Sequence, residues 1–173
     1  GMGGGRLFPQ AGPGGSTLVL CTSCTHAFNA SLSPRLSYDP VKDFAPITRA
    51  SLLLSMIVVH PSVPASNVRQ LIALAKKSPG LLTYASSGSA QYLTGALFTS
   101  MAQIDMVHIP FKGGGQALPA QLSGEVALSF STVVSALPHV TGGRLRGLAV
   151  PSANRTPAAP DFATVAESGL PGY

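Results

Sequence analysis

The stretch YASSGSAQYLTGALF, Tyr84 to Phe98, decides how this 173-residue chain folds. It ends an apolar run, Leu81 to Ala85, that reads as a strand, and Ser86-Ser-Gly-Ser89 reads as a turn. From about Ala90 to Met101, the residues Leu93, Ala96, Leu97 and Met101 fall on one side of a helix. The same unit recurs downstream. Asp105 to Ile109 is a strand, Pro110-Phe-Lys-Gly-Gly-Gly115 a loop, and Gln116 to Leu122 a helix. Val126 to Phe130 follows as a strand, then a polar turn, a helix ending near Thr141-Gly142-Gly143, and a last strand over Leu145 to Val150.

Upstream, Leu52 to Val59 is a buried-strand candidate ending at His60-Pro61. Ser66 stands where a helix N-cap belongs. Val68, Leu71, Ile72 and Ala75 fall at helical spacing, and Ser78-Pro79-Gly80 stops the helix. Nearer the start, Thr17 to Cys21 reads as a short strand, His26 to Leu32 as a helical candidate and Tyr38 to Asp43 as a loop. Alternating strands and helices predict an α/β architecture with a largely parallel sheet, whose ligands bind at the carboxyl ends of the strands.

Composition narrows the function. Hydrophobic residues make up 45% of the chain against 10% charged, which is a globular rather than a disordered balance. No apolar run is long enough for a membrane-spanning helix. The net charge of +5 comes from Lys and Arg scattered between Arg6 and Arg155, with only Lys76 and Lys77 adjacent. Nucleic-acid binding needs clustered cations, so no nucleic-acid partner is expected, and a mild positive field favouring small anions fits better.

Several stretches bear on chemistry. The SSGS turn suits anion capture: glycine lets the backbone approach, hydroxyls donate, and the amides at a helix start carry partial positive charge. The alternative is that Ser87 or Ser89 merely caps the helix. In the PFKGGG loop Lys112 offers a cation, although a lone lysine after a strand is commonly solvated; the order of a Walker phosphate loop is absent. His26, His60, His108 and His139 lack metal-ligand spacing. There is no G-x-S-x-G elbow and there are only six acidic residues, so no catalytic site, metal or cofactor is expected.

Cys21 and Cys24 form a C-x-x-C pair within CTSCTHAFN. Haem attachment requires histidine directly after the second cysteine, and Thr25 stands there instead. Zinc would need two more ligands, and a thioredoxin-like motif opens a helix, whereas Cys21 reads as strand. A local disulfide in an oxidising compartment remains an alternative.

In order along the chain, THAFNASL, YDPVKDFAPIT, VVHPSVPASNVRQLIALAKKSPG, YASSGSAQYLTGALF, MVHIPFKGGGQAL, ALPHVTGGRLRGLAV and PDFATVAESGLPGY carry a resemblance. From about Thr17 to Tyr173 the chain resembles the extracytoplasmic solute receptors of tripartite tricarboxylate transporters, the TctC or Bug family. The resemblance implies a type II periplasmic-binding-protein fold, with two α/β lobes closing over a small organic anion, commonly a carboxylate. It implies periplasmic localisation, membrane transporter subunits as partners and no catalytic step. The family's signal peptide, first strand and first Gly-rich ligand loop, and its tail after the GLPGY-like motif, are not found here.

The expected layout is therefore an unstructured or vector-derived start over 1–16, with Gly1 as a cloning scar; a partial lobe one over 17–60; a nearly complete lobe two over 61–150; and a return segment toward lobe one over 151–173. An exposed lobe-one remnant predicts association between chains, with a homodimer as the simplest form. The alternative to a working receptor is a truncated remnant without a ligand site.

By the same resemblance the ligand-binding residues are Ser23, Thr25, His26, Ser86, Ser87, Gly88, Ser89, Phe111, Lys112, Gly113 and Ser131. The two cysteines stand where the family carries small residues. Some positions depart from the family pattern. Tyr92 replaces a histidine after a shortened serine-glycine turn, Phe111 replaces a tyrosine, and Ala127 and Ser131 stand at two acidic positions. Loss of the second acid leads to the expectation that the site prefers plain anions or is impaired.

Overall fold

The computed structural model describes residues 14–15, 17–32 and 36–173. The start expected to be unstructured lies largely outside the described residues. The chain divides into two compact units, Gly1–Ser51 and Leu52–Tyr173.

In the first unit a π-helical turn, Cys24–Phe28, runs into a short α-helix, Asn29–Leu32. The helix predicted from His26 thus begins earlier and opens with wider turns. Thr17 to Cys21, predicted as a strand, pairs with no other segment among the described residues. Leu18 and Leu20 are exposed there, and an apolar run without a neighbouring edge has no ladder to join. Tyr38 is buried and donates its hydroxyl proton to the Thr25 carbonyl at 2.6 Å. Phe44 stacks edge-on against His26 with ring centroids 4.5 Å apart, which ties the loop to the helix.

The second unit is a five-stranded sheet. Its strands are β1 (Ser55–Val59), β2 (Thr83–Ser86), β3 (Val107–Pro110), β4 (Leu128–Thr132) and β5 (Arg146–Ala149), in the order β3-β2-β4-β1-β5. Strand β2 runs parallel to β3 and β4, and β1 runs antiparallel to both β4 and β5. The sheet is therefore mixed rather than largely parallel: two of its four pairings are parallel and two antiparallel, because β1 alone is reversed between β4 and β5. Ser55–Val59, within the span expected for lobe one, form β1, an internal strand of this sheet. An internal strand needs hydrogen-bonding partners on both sides, and β4 and β5 provide them.

Helices α1 (Val68–Lys77), α2 (Ser89–Ala102), α3 (Gly114–Leu122) and α4 (Val133–Thr141) connect the strands. Alternation along the strands sorts the core onto two faces. Ile57, Val59, Tyr84, Leu128 and Phe130 pack with Val68 and Leu71 of α1 and Phe98 of α2. Met56 and Val58 pack with Val133 and Ala136 of α4, while Ala85 packs with Ala120 of α3. The predicted cap of α1 moves by one residue. Asn67 is the N-cap and accepts from the Gln70 amide, while the Ser66 amide and hydroxyl both donate to Gln70 Oε1 at 2.7 and 2.8 Å.

The last residues, expected to return toward lobe one, pack on this same sheet. Val150 bridges to Thr164, Val165 and Leu170 are buried, and Tyr173 donates to the Thr94 carbonyl at 2.9 Å. Burial of its ring pushes the Tyr173 phenol well above its ordinary range.

Gly95 marks the tightest contact of α2 with the sheet. A Cβ there would come within 2.4 Å of the Tyr84 ring, and Tyr84 is itself wedged edge-on against Phe130. Gly95→Ala recovers about 0.5–1 kcal/mol of helix propensity but overpacks the core at a cost of about 1–3 kcal/mol. The expected net loss is about 1 kcal/mol, read in urea as a lower midpoint with unchanged slope. A raised midpoint would show that the ring yields.

Candidate functional site

Because β3, β2 and β4 are neighbouring and parallel, their carboxyl ends reach one edge of the sheet. Each feeds a helix there. Strand β2 leads through Ser87 and Gly88 into α2, β3 through Phe111 to Gly113 into α3, and β4 leads directly into α4. The edge therefore gathers three helix amino termini, each with orphan amides and partial positive charge.

The three ends are not equivalent. Thr132 caps α4, accepting from the Ser135 amide at 3.4 Å, and the Val133 amide is taken by the Leu54 carbonyl at 2.8 Å. Gly88 and Gly113 cap α2 and α3 and have no side chain to offer. The first amides of α2 and α3 consequently point outward without an intrahelical acceptor. Neither Ser87 nor Ser89 caps α2, so the capping alternative for this turn is set aside in favour of an open helix end.

The hydroxyls of the SSGS turn behave differently from the expectation that they donate outward. Ser87 donates both its amide and its hydroxyl proton to Gln91 Oε1, at 2.5 and 2.6 Å. Ser86 is buried and its Oγ lies 2.6 Å from His108 Nε2. The Ser87 proton is thus engaged within the protein, and the Ser86 hydroxyl is paired with His108. Ser89, at the first position of α2, is left with Gly88 as the part of the turn free to meet an anion.

On the neighbouring loop Phe111 gives its amide to the Ser86 carbonyl at 2.8 Å, and its ring packs against Ala85, Ala120 and Val126. Phe111 thus anchors the loop instead of offering its ring to solvent. Lys112 is exposed and makes no ion pair among the described residues; Gly113 follows as the cap of α3. At the end of β4, Ser131 Oγ lies 2.7 Å from Ser129 Oγ, and Ser129 donates to Oε1 of the fully buried Gln121 at 2.6 Å. Sequence reasoning missed Gln121, Ser129 and His108. Gln121 carries the one available signal, a glutamine on the apolar side of a helix.

The structure brings Ser86, Ser87, Gly88, Ser89, Phe111, Lys112, Gly113 and Ser131 to one edge of the second unit. Ser23, Thr25 and His26 belong to the first unit. There, Thr25 Oγ1 donates to the Thr22 carbonyl at 2.9 Å and lies 3.1 Å from His26 Nδ1, while His26 Nε2 is buried without a hydrogen-bond partner among the described residues. Cys21 and Cys24 are both free thiols. Among the described residues no group of three or more His, Cys, Asp or Glu side chains is placed to hold a metal.

Residues 3–173 match the model of the tripartite tricarboxylate transporter family receptor. The chain belongs to this family. Among its relatives, the protein of the tcbD-tcbE intergenic region of a Pseudomonas species is 31% identical over 98% of this chain and 51% of its own length. Protein BugT of Bordetella pertussis is 30% identical over 95% and 51%. The chain thus spans about half the length of the curated relatives it matches.

Solved structures agree on the fold, a mixed α/β type II binding-protein architecture. An R. palustris protein with adipate superposes with a TM-score of 0.91 at 30% identity, over 100% of this chain and 58% of the other. MatC from Rhodopseudomonas palustris, with bound malate, gives 0.85 at 28%, over 100% and 60%. The periplasmic binding protein BugD gives 0.83 at 26%, over 99% and 57%. The family is one of transporter receptors rather than enzymes, and BugD is a periplasmic binding protein. No described helix is long and apolar enough to cross a membrane.

His108 supplies a test of the edge. It lies between Tyr84 and Tyr92, with ring centroids 5.0 and 4.9 Å away, and this burial pushes its pKa below the ordinary value of about 6.5. A histidine whose folded pKa is depressed binds fewer protons folded than unfolded just below pH 6.5, so stability falls with pH there and levels off below the folded pKa. Comparing urea midpoints at pH 7.5 and 5.5, the native chain is expected to lose stability and His108→Gln to lose less. Equal losses would remove His108 as the source.

Proposed function

We propose that the chain carries the ligand-binding part of an extracytoplasmic receptor for a small carboxylate, and that the receptor delivers it to a membrane transporter of the tripartite tricarboxylate type. The observation that carries this reading is the pair of glycine-capped helix ends, α2 and α3, side by side at the carboxyl edge of parallel strands. Outward amides without a capping side chain are ready donors to an anion, and charge-assisted bonds of this kind are worth about 1.5–3 kcal/mol. Lys112 adds a cation on the loop between them. The adipate and malate in the solved relatives support a carboxylate. The periplasmic relative BugD supports a periplasmic setting.

In this reading Gly88, Ser89, Gly113 and Lys112 meet the carboxylate, while Ser86 and Phe111 hold the two loops in place. Ser23, Thr25 and His26 are proposed ligand contacts of the first unit in their own right; the unpartnered His26 Nε2 supports this assignment. The exposed Leu18, Leu20, Val41 and Ile47 support association of chains through the first unit, which light scattering after gel filtration reads directly.

Ser89→Pro tests the site. Residue 89 opens α2, where proline is well tolerated, and Gly88 already has the extended backbone that a following proline requires. The substitution removes one amide donor and keeps the helix. Titration of the chain with malate and adipate by calorimetry is expected to show binding, weakened about tenfold or more in Ser89→Pro with the melting temperature of the free protein unchanged. Undiminished binding would take the carboxylate away from α2.

A further inference from the structure

Two glutamine carboxamides set the direction of the hydrogen bonds at this edge. Gln121 Nε2 donates to the Val58 carbonyl at 2.8 Å. A carbonyl only accepts, so the amide nitrogen of Gln121 must face it and Oε1 must face Ser129. Ser129 therefore donates its only hydroxyl proton to Oε1, at 2.6 Å. With that proton committed, the 2.7 Å contact between the two serines has one consistent assignment: Ser131 donates to Ser129. The proton of Ser131 points inward, and its outer side carries lone pairs.

The same logic operates one strand away. The Ser87 amide is a donor, so it must meet Oε1 of Gln91, and the Ser87 hydroxyl donates to that same oxygen. Ser87, too, shows lone pairs outward. Ala85 and Ser129 are register partners across β2 and β4, and Ser87 and Ser131 each stand two residues further on. Ser131 lies near the end of β4 and Ser87 in the bend just past β2, so both hydroxyls stand at the carboxyl ends of neighbouring strands, whose spacing in a sheet is about 4.8 Å. Both are half-buried.

We infer that Ser87 and Ser131 form an acceptor pair that takes a hydrogen-bond donor of the ligand, a hydroxyl or an ammonium carried next to the carboxylate. This rests on the carboxylate reading above and narrows it. The open amides of α2 and α3 take the carboxylate; the acceptor pair repels a second carboxylate oxygen and prefers a group with a proton to give. The loss of the acidic side chain at position 131, expected to favour plain anions, leaves the acceptor character in place. Gln121 and Ser129 are positioning residues, since they act only through Ser131.

The experiment compares L-malate with succinate, which differ by one hydroxyl, by calorimetry on the whole chain. Native protein is expected to prefer malate by about tenfold, the size of one good neutral hydrogen bond. Ser131→Ala should lower that preference by weakening malate alone. Ser129→Ala frees the Ser131 proton to point outward, so it should tighten succinate and narrow the preference, a change in selectivity that a merely structural role would not produce. A third variant, Ser129→Thr, retains the hydroxyl and should restore the native ratio. Equal affinities of the native chain for both acids, or a preference unaltered in Ser129→Ala, overturns the acceptor pair and leaves the receptor reading standing. Binding of neither acid removes both.

Discussion

The parallel pairing of β2 with β3 and with β4 is the constraint on which the rest depends. Parallel neighbours cannot be joined by a hairpin, so each needs a crossover helix, and each helix begins where its strand ends. Three helix starts are thereby delivered to one edge by the chain's connectivity before any side chain is considered. What distinguishes them is whether the residue at the junction can cap. Thr132 closes α4, while Gly88 and Gly113 leave α2 and α3 open. The position of the three helix starts is thus set by topology, and the openness of two of them by two missing side chains.

Gln121 shows how the core reaches into that edge. A buried carboxamide without partners would cost several kcal/mol, but its nitrogen bonds Val58 on β1 and its oxygen bonds Ser129 on β4. The residue joins α3 to two strands and, in doing so, fixes which way the serine protons run. A fully satisfied buried network is rigid, and its direction is not free to adapt to a ligand. Gln91 performs the same service for Ser87 at the surface, and Gln70 for Ser66 at the start of α1.

Much of the architecture was legible in the sequence, because its signals are local. Alternating apolar runs, glycine turns and the helical spacing of Val68, Leu71 and Ala75 depend on nearest neighbours. Strand ends shifted by one to three residues, as when Leu52 to Val59 shortened to Ser55–Val59, because pairing partners trim a strand and these are distant in sequence. Thr17 to Cys21 failed as a strand for the same reason: an apolar run states a preference for burial, and a ladder needs a neighbour. The reversal of β1 and the packing of the last residues onto the sheet are long-range facts with no local mark.

The candidate site's positions can be named from the sequence, but the direction of its hydrogen bonds cannot. Each serine of SSGS can donate, but a hydroxyl has one proton and its destination is decided by whatever acceptor lies nearest. Gln91 is four residues from Ser87 and was hidden by attention to the turn itself; His108 is on another strand and Gln121 on another helix. Counting hydroxyls therefore overstates the donors available to an anion and understates the acceptors. At this edge the donors are backbone amides, whose direction the helices fix, and the acceptors are serine oxygens, whose direction two glutamines fix. A site with both kinds held rigid and pointing outward distinguishes ligands by the order of their donors and acceptors as well as by their charge.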